Sequence, residues 1–408
     1  MSHLLHQDNM VKAVTRVLCR RTVLLVIISV LTTGTLITAC DTGPAPSLYN
    51  PDRPSKADPV ISSVEPSGSA LAGVDIVTIS GENFSSNLTE NLVYFDNTRA
   101  DVLEAGPTQL RVRAPNTPSA ELQIRVAILG AENYSNSRSY RLDSAAEQFG
   151  SITSFEEPFA LASDASGNLY VSLNSDNRSV GIVRMTPDGT RSSYIETTFK
   201  WDSMAFGSDG LLYTVRSVRA IFRFAEGGSQ QVWAVLPDNS ARLTAISFDD
   251  QGNLWAGGNN QNLYRVTPDK TILAFPFEAN IRALAVFGSY LYAAATQDDA
   301  SKIWRFQLSP VGIGTAEEYY DVTGNFGAEA FALAFTTTGE LFIGTDATDP
   351  VIVVFPDRLG QALYPGVLHP AAVSFAWGNT PSLYMTQGKT DTTTPNLIRI
   401  NTRREGAR

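Results

Sequence analysis

The chain has 408 residues, 31 of them basic and 41 acidic, for a formal net charge of −10; 43% are hydrophobic. That apolar content excludes a disordered chain and is enough for a large buried core. The acidic balance disfavours nucleic acid and anionic lipid headgroups, leaving neutral molecules, cations and proteins with basic patches as partners.

Residues 1–40 read as an export signal. Lys12, Arg16, Arg20 and Arg21 precede an uncharged apolar run from Thr22 to Ala39, and the small residue Ala39 stands just before Cys40. The tetrapeptide Ile37-Thr38-Ala39-Cys40 resembles a bacterial lipobox. The resemblance implies cleavage before Cys40, diacylation of its thiol and acylation of the new N-terminus, and two or more acyl chains anchor stably. The alternative is an uncleaved membrane anchor, for which the 18-residue run is barely long enough. The expected location is the bacterial cell envelope, lipid-anchored to the membrane and facing the periplasm or the cell surface. Without its first forty residues the chain keeps 27 basic and 40 acidic residues, a net of −13. Cys19 leaves with the signal and Cys40 is taken by lipid, so neither a disulfide nor a Cys-based metal site is expected.

Residues 41–58 are Pro-rich and aperiodic, and read as a semi-extended tether. Residues 59–143 read as a small all-β unit. Val77/Ile79 and Val93/Phe95 alternate as in half-buried strands, and further strands are expected at Leu110–Arg113 and Leu122–Ile128. Short strands separated by turn signals imply an immunoglobulin-like sandwich. The stretch resembles the IPT/TIG family through Pro59-Val60-Ile61-Ser62-Ser63-Val64-Glu65-Pro66 and Val77-Thr78-Ile79-Ser80-Gly81-Glu82-Asn83-Phe84, with Ala72-Gly73 where the family often has Gly-Gly. The resemblance implies a spacer, or in some members a contributor to ligand binding.

Residues 144–404 are organised by a repeat. A small-hydrophobic-small run recurs at Ala160-Leu161-Ala162, Ser203-Met204-Ala205, Ala245-Ile246-Ser247, Ala283-Leu284-Ala285, Ala332-Leu333-Ala334 and Ala372-Val373-Ser374. The copies lie 38 to 49 residues apart. A period near forty with strand-like content predicts a β-propeller with one blade per copy, here six. A Leu-aromatic pair follows each copy (Leu169-Tyr170, Leu212-Tyr213, Leu254-Trp255, Leu291-Tyr292, Leu341-Phe342, Leu383-Tyr384), and its ring is expected between neighbouring blades. The last copy lacks an outer strand, so the segment Phe149–Phe155 is expected to supply it and close the ring. Pro158-Phe159-Ala160-Leu161-Ala162 followed by Gly167-Asn168-Leu169-Tyr170-Val171 is similar to the NHL repeat and to gluconolactonase-like six-bladed propellers. The fold class expected is therefore all-β, an Ig-like sandwich followed by a six-bladed propeller. That superfold hosts enzymes, receptors and scaffolds alike.

Chemistry is expected where the inner strands converge. Three positions before each recurring small residue stand Glu157, Lys200, Arg242, Asn280, Glu329 and His369; one position before stand Phe159, Asp202, Thr244, Arg282, Phe331 and Ala371. Ring closure predicts Glu329, His369 and Glu157 side by side at one mouth. Such a trio could hold Ca²⁺ or Mg²⁺, or do acid–base work, although polar propeller mouths are often merely hydrated. Trp201, Asp202, Arg242 and Arg282 are the candidate ligand-binding residues. Trp201, Phe159 and Phe331 would offer aromatic faces to a sugar or another amphipathic ligand, while inter-blade packing is the alternative role for the two Phe rings.

The enzyme resemblances stop short of the reacting residues. Gluconolactonase-like enzymes open on E-G-P, whereas Glu157-Pro158 lacks the Gly. Streptogramin-lyase-like propellers place His after Pro, whereas here His369 precedes Pro370. His369 is the sole histidine after residue 40, and no G-x-S-x-G elbow is present. Asp249-Asp250 and Asp298-Asp299 read as solvated hairpin turns. The leading expectation is a binding or interaction module for a glycan, peptide or protein, with no catalytic residues assigned; the rival is a divalent-metal hydrolase or lyase of lactonase-like type. The pairing with an IPT/TIG unit resembles components of bacterial glycan-capture systems.

Overall fold

The computed structural model describes residues 54–176 and 178–407. The export signal, Cys40 and most of the tether lie outside the described residues. From Ala57 onward the chain forms one compact unit.

Its first part is a β-sandwich. Alternation in Ile76–Glu82, Asn91–Phe95, Gln109–Arg113 and Ser119–Ile128 points Val77, Ile79, Val93, Phe95, Leu110, Val112, Ile124 and Val126 into one core, each at most 1% exposed. The long strand Thr98–Gly106 joins the two faces. It pairs with Asn91–Phe95 near its start and with Gln109–Arg113 further on, and its register shifts between Val102 and Glu104. A bulge there bends the strand from one sheet into the other. Tyr140 donates its hydroxyl to the Pro66 carbonyl at 2.7 Å, and burial pushes that hydroxyl's pKa up to about 12.

The remainder is built of antiparallel sheets, each begun by a copy of the recurring run. Two four-stranded sheets come first: Glu156–Ser163, Leu169–Ser175, Arg178–Met185, Arg191–Ile195; then Ser203–Phe206, Leu212–Val215, Ala220–Phe224, Gln231–Val235. A seven-stranded sheet follows and contains two copies of the run, in Leu243–Phe248 and in the 16-residue strand Ile272–Phe287. That long strand pairs with Leu254–Val266 in its first half and with Tyr290–Gln297 in its second. Two more four-stranded sheets begin at Ala330–Phe335 and Ala372–Trp377. The innermost strands touch in a closed cycle: Glu156–Ser163, Ser203–Phe206, Leu243–Phe248, Ile272–Phe287, Ala330–Phe335, Ala372–Trp377 and back to Glu156–Ser163.

The last sheet is completed by the segment preceding the first, though not by the stretch expected. The closing strand is Ala146–Gln148, paired through Gln148↔Ile398 and Ala146↔Ile400, rather than Phe149–Phe155. Phe149 ends that pairing by donating its N–H to the Leu397 carbonyl at 2.8 Å, and its ring packs on Tyr384 with centroids 4.8 Å apart. The Leu-aromatic pairs do bridge neighbouring sheets. Tyr170 meets Phe206, Tyr213 meets Phe248, Tyr292 meets Phe335 and Phe342 meets Trp377, with centroids 4.7 to 5.3 Å apart.

Candidate functional site

Five of the inner strands carry a register shift at the recurring run. The breaks fall at Pro158/Leu161, Leu243/Ala245, Ile281/Ala283, Ala330/Ala332 and Ala372/Ser374. Each leaves a residue without a cross-strand partner: Phe159 with Ala160, Thr244, Arg282, Phe331 and Val373. A bulge re-aims the side chain it carries, and all of these residues line one cavity of about 510 Å³. The close approach constrains the partner strand as well. A Cβ on Gly258, opposite Leu243, would stand 1.8 Å from the Arg242 carbonyl oxygen.

The residue immediately before each recurring small residue reaches this cavity: Phe159, Asp202, Thr244, Arg282, Phe331 and Ala371. In the second sheet, where no shift occurs, Asp202 is held just ahead of the strand by its own N–H, which donates to the Val215 carbonyl at 2.9 Å. Of the residues three positions before, only Glu157 and Lys200 line the cavity.

The wall is amphipathic. The Lys200 ammonium lies 3.8 Å from the centre of the Phe159 ring and 3.8 Å from Asp202 Oδ1. Asp202 Oδ2 accepts the Ser217 N–H at 3.0 Å. Burial holds the Asp202 carboxyl above the usual carboxylate range, with Lys200 and the Ser217 hydrogen bonds acting against it. Arg282 donates Nε to Glu329 Oε1 at 3.0 Å, with Nη2 2.9 Å from the same oxygen as an ion pair, and its guanidinium is 5.9 Å from the centre of Phe331. Thr244 Oγ1 donates to the Ile281 carbonyl at 2.6 Å. Charge is mixed, with Lys200, Arg282 and Lys389 set against Glu157 and Asp202.

Several expected site residues lie elsewhere. Trp201 is fully buried, edge-on to Phe222 and Phe224 at 5.2 and 5.3 Å, with Nε1 donating to Thr197 Oγ1 at 3.2 Å. Extended backbone sends adjacent side chains to opposite faces, so placing Asp202 on the axis turns Trp201 into the packing between sheets. Arg242 spends its Nη1 on the Asn239 and Ala241 carbonyls at 3.1 and 2.9 Å and does not line the cavity. The proposed metal trio does not assemble. Glu157 lines the cavity, Glu329 is outside it on Arg282, and His369 is exposed, its carbonyl taking Gln387 Nε2 at 3.3 Å. Among the described residues no three His, Cys, Asp or Glu side chains lie close enough to share an ion. For Glu329 the cause is the bulge: the shift at Ala330/Ala332 resets the alternation at Phe331, so Glu329 need not share its face, while the last sheet's shift at Ala372/Ser374 falls beyond His369.

Pro158, Ser217, Ser374, Gly388 and Lys389 complete the wall. Ser217 and Lys389 sit on hairpins that carry no repeated spacing, which is why periodicity does not reveal them.

Comparison with known proteins fits this architecture. Residues 59–142 match the IPT/TIG domain. None of the curated proteins matches the chain. Among solved structures, an auxiliary nutrient binding protein from Bacteroides thetaiotaomicron VPI-5482 is similar over both parts. It is 10% identical with a TM-score of 0.50, covering 86% of this chain and 98% of that one. A candidate gluconolactonase is 19% identical with a TM-score of 0.51, over 64% of this chain and 93% of that one. A luciferin-regenerating enzyme is 14% identical with a TM-score of 0.53, over 64% and 97%. At such identities the likeness is one of fold, an Ig-like IPT/TIG domain with propeller-like sheets.

Proposed function

We propose that this is an envelope-anchored binding lipoprotein whose propeller holds a glycan, peptide or protein ligand at the axial cavity. The observation that carries the reading is the convergence of bulge-aimed side chains from successive inner strands on one amphipathic cavity. Two phenylalanine faces, paired cations and carboxylates, and a rigid β-frame suit recognition of a ligand with one apolar and one polar face. The nutrient-binding likeness is compatible with it, and the lipobox-like Ile37–Cys40 supplies the anchor. On this reading the seven-stranded sheet is two blades fused through Ile272–Phe287, making six blades in the ring.

Calorimetric screening of the purified protein against glycan and peptide panels tests the binding claim. Phe331→Ala and Asp202→Asn are expected to weaken the ligand found at least about tenfold while leaving melting cooperative. A ligand indifferent to both, or one that is turned over by protein carrying stoichiometric Ca²⁺ or Mg²⁺, would overturn it. The anchor is tested by radiolabelled palmitate, whose incorporation should vanish in Cys40→Ala.

A further inference from the structure

We propose that the binding surface continues from the axial cavity into a second, amide-lined groove, and that the two together take a neutral, hydroxyl-rich chain: a linear oligosaccharide. The proposal rests on the cavity reading above and extends it.

The groove, about 590 Å³, lies across three neighbouring strands of the seven-stranded sheet. Asn259 and Gln261 come from Leu254–Val266, Glu278 and Asn280 from Ile272–Phe287, and Gln297 and Asp298 from the end of Tyr290–Gln297 and the turn after it. Asn259 and Asn280 are opposed register partners, so their positions are fixed by strand pairing. Gln297 is pinned by donating Nε2 to the Glu278 carbonyl at 2.6 Å. Each amide offers two N–H donors and a carbonyl acceptor, and the carboxylates only accept. Hydroxyl groups, which both donate and accept, answer that mixture. The lining has neither a cation to hold an anionic chain nor an aromatic or large aliphatic side chain to hold an apolar one. A peptide adding as a strand is disfavoured because 259–260 and 279–280 already pair with each other.

One carboxylate links groove to cavity. Thr296 borders the groove and donates Oγ1 to Glu329 Oε1 at 3.4 Å. The same oxygen takes Arg282 Nε at 3.0 Å, and Arg282 lines the cavity. Thr296, Glu329 and Arg282 thus form the polar link that a ligand spanning both would cross.

The test is calorimetry on the full chain in detergent with linear malto-, cello-, xylo- and manno-oligosaccharides, from disaccharide to octasaccharide. In at least one series affinity should rise about tenfold or more with length. Asn280→Ala with Gln261→Ala should flatten that rise, each lost amide costing about five- to tenfold, while leaving disaccharide affinity and melting unchanged. Phe331→Ala should weaken every length. Affinity flat with length, a length gain that survives the double variant, or no binding by any series overturns the extension. If another ligand still depends on Phe331 in those cases, the cavity reading stands. If a disaccharide binds and ignores Phe331→Ala, the cavity reading itself has failed.

Discussion

Ser374 Oγ accepts the backbone N–H of Leu161 at 3.1 Å, across 213 residues of chain. The bond joins the innermost strand of the last sheet to that of the first. Equivalent bonds run elsewhere around the ring: Ile246 N–H to Ser203 Oγ and Val286 N–H to Ser247 Oγ, both at 3.2 Å. An innermost strand has no partner on its axial edge, so its N–H groups need side-chain acceptors. The closure seam is thus held by the same device as the internal boundaries, in addition to the Ala146–Gln148 pairing.

Removing that acceptor should matter as much at the seam as inside the ring. Ser374→Ala leaves the Leu161 N–H without it, at an expected cost of about 1–3 kcal/mol in urea unfolding. Ser247→Ala is the control and should cost a similar amount. A seam variant with no effect beside a destabilised control would mean that the ring is not continuous there.

The turn aspartates should be structural rather than calcium-binding. Asp249 accepts the N–H groups of Gln251 and Asn253 at 3.0 and 2.9 Å and the Trp255 indole N–H at 2.9 Å. Asp164 does the same for Ser166, Asn168 and the Tyr170 hydroxyl at 2.9, 2.9 and 3.1 Å. Asp249→Ala is expected to lose about 2–3 kcal/mol, with the same loss in chelator as in added calcium. A loss confined to chelator-treated protein would contradict this.

Asp202 should trade stability for its place in the cavity. Its folded pKa is raised by burial above the unfolded value of 3.8, so the folded state holds the proton more tightly. The group is neutral in both states well below 3.8, and its unfavourable contribution grows as pH rises from there through the folded value. Asp202→Asn should therefore be as stable as the parent or more so at neutral pH, with the difference vanishing in acid. Thermal melts of both proteins across pH check this; a variant destabilised only at neutral pH would show the carboxylate to be stabilising.

Arg403 reaches from the segment after the last strand to Asp75 of the sandwich, Nη1 to Oδ1 at 3.1 Å and Nη2 to Oδ2 at 2.7 Å. Its neighbour Arg404 holds Glu340 of another sheet, Nε to Oε1 at 3.0 Å. Because Arg403 is exposed, solvent screens the first pair, and a double-mutant cycle with Arg403→Ala and Asp75→Asn should return a coupling of only about 0.5–1 kcal/mol, shrinking in high salt. A coupling several times larger, or one insensitive to salt, would show that the pair does more than orient two surfaces.

The legibility of this protein follows its periodicities. The recurring run marks the innermost strands because small residues let neighbouring inner strands approach closely, as Ser374 does Leu161, and the Leu-aromatic pairs mark the sheet-to-sheet packing because large rings fill the gap between sheets. The P-x-I-x-x-V-x-P and V-x-I-x-G-x-x-F patterns located the sandwich for the same reason: alternation reports which face is buried. The closing strand was displaced because an outer edge is solvated. Ala146–Gln148 carries little apolar signal, whereas Phe149, which packs beside it on Tyr384, is strongly apolar.

Local alternation and spacing were properties of the sequence by itself, and they identified which residues stand one before each run. Only the tertiary structure decided that those residues, and not most of their neighbours two positions earlier, face the axis. A bulge is a choice of pairing between strands, set by how closely the facing backbones fit, as at Gly258 against Arg242. It left Arg242 and Glu329 outside the cavity with Arg282 and Phe331 in it, whereas in the second sheet, which has no shift, plain alternation put Asp202 in the cavity and Trp201 in the packing between sheets.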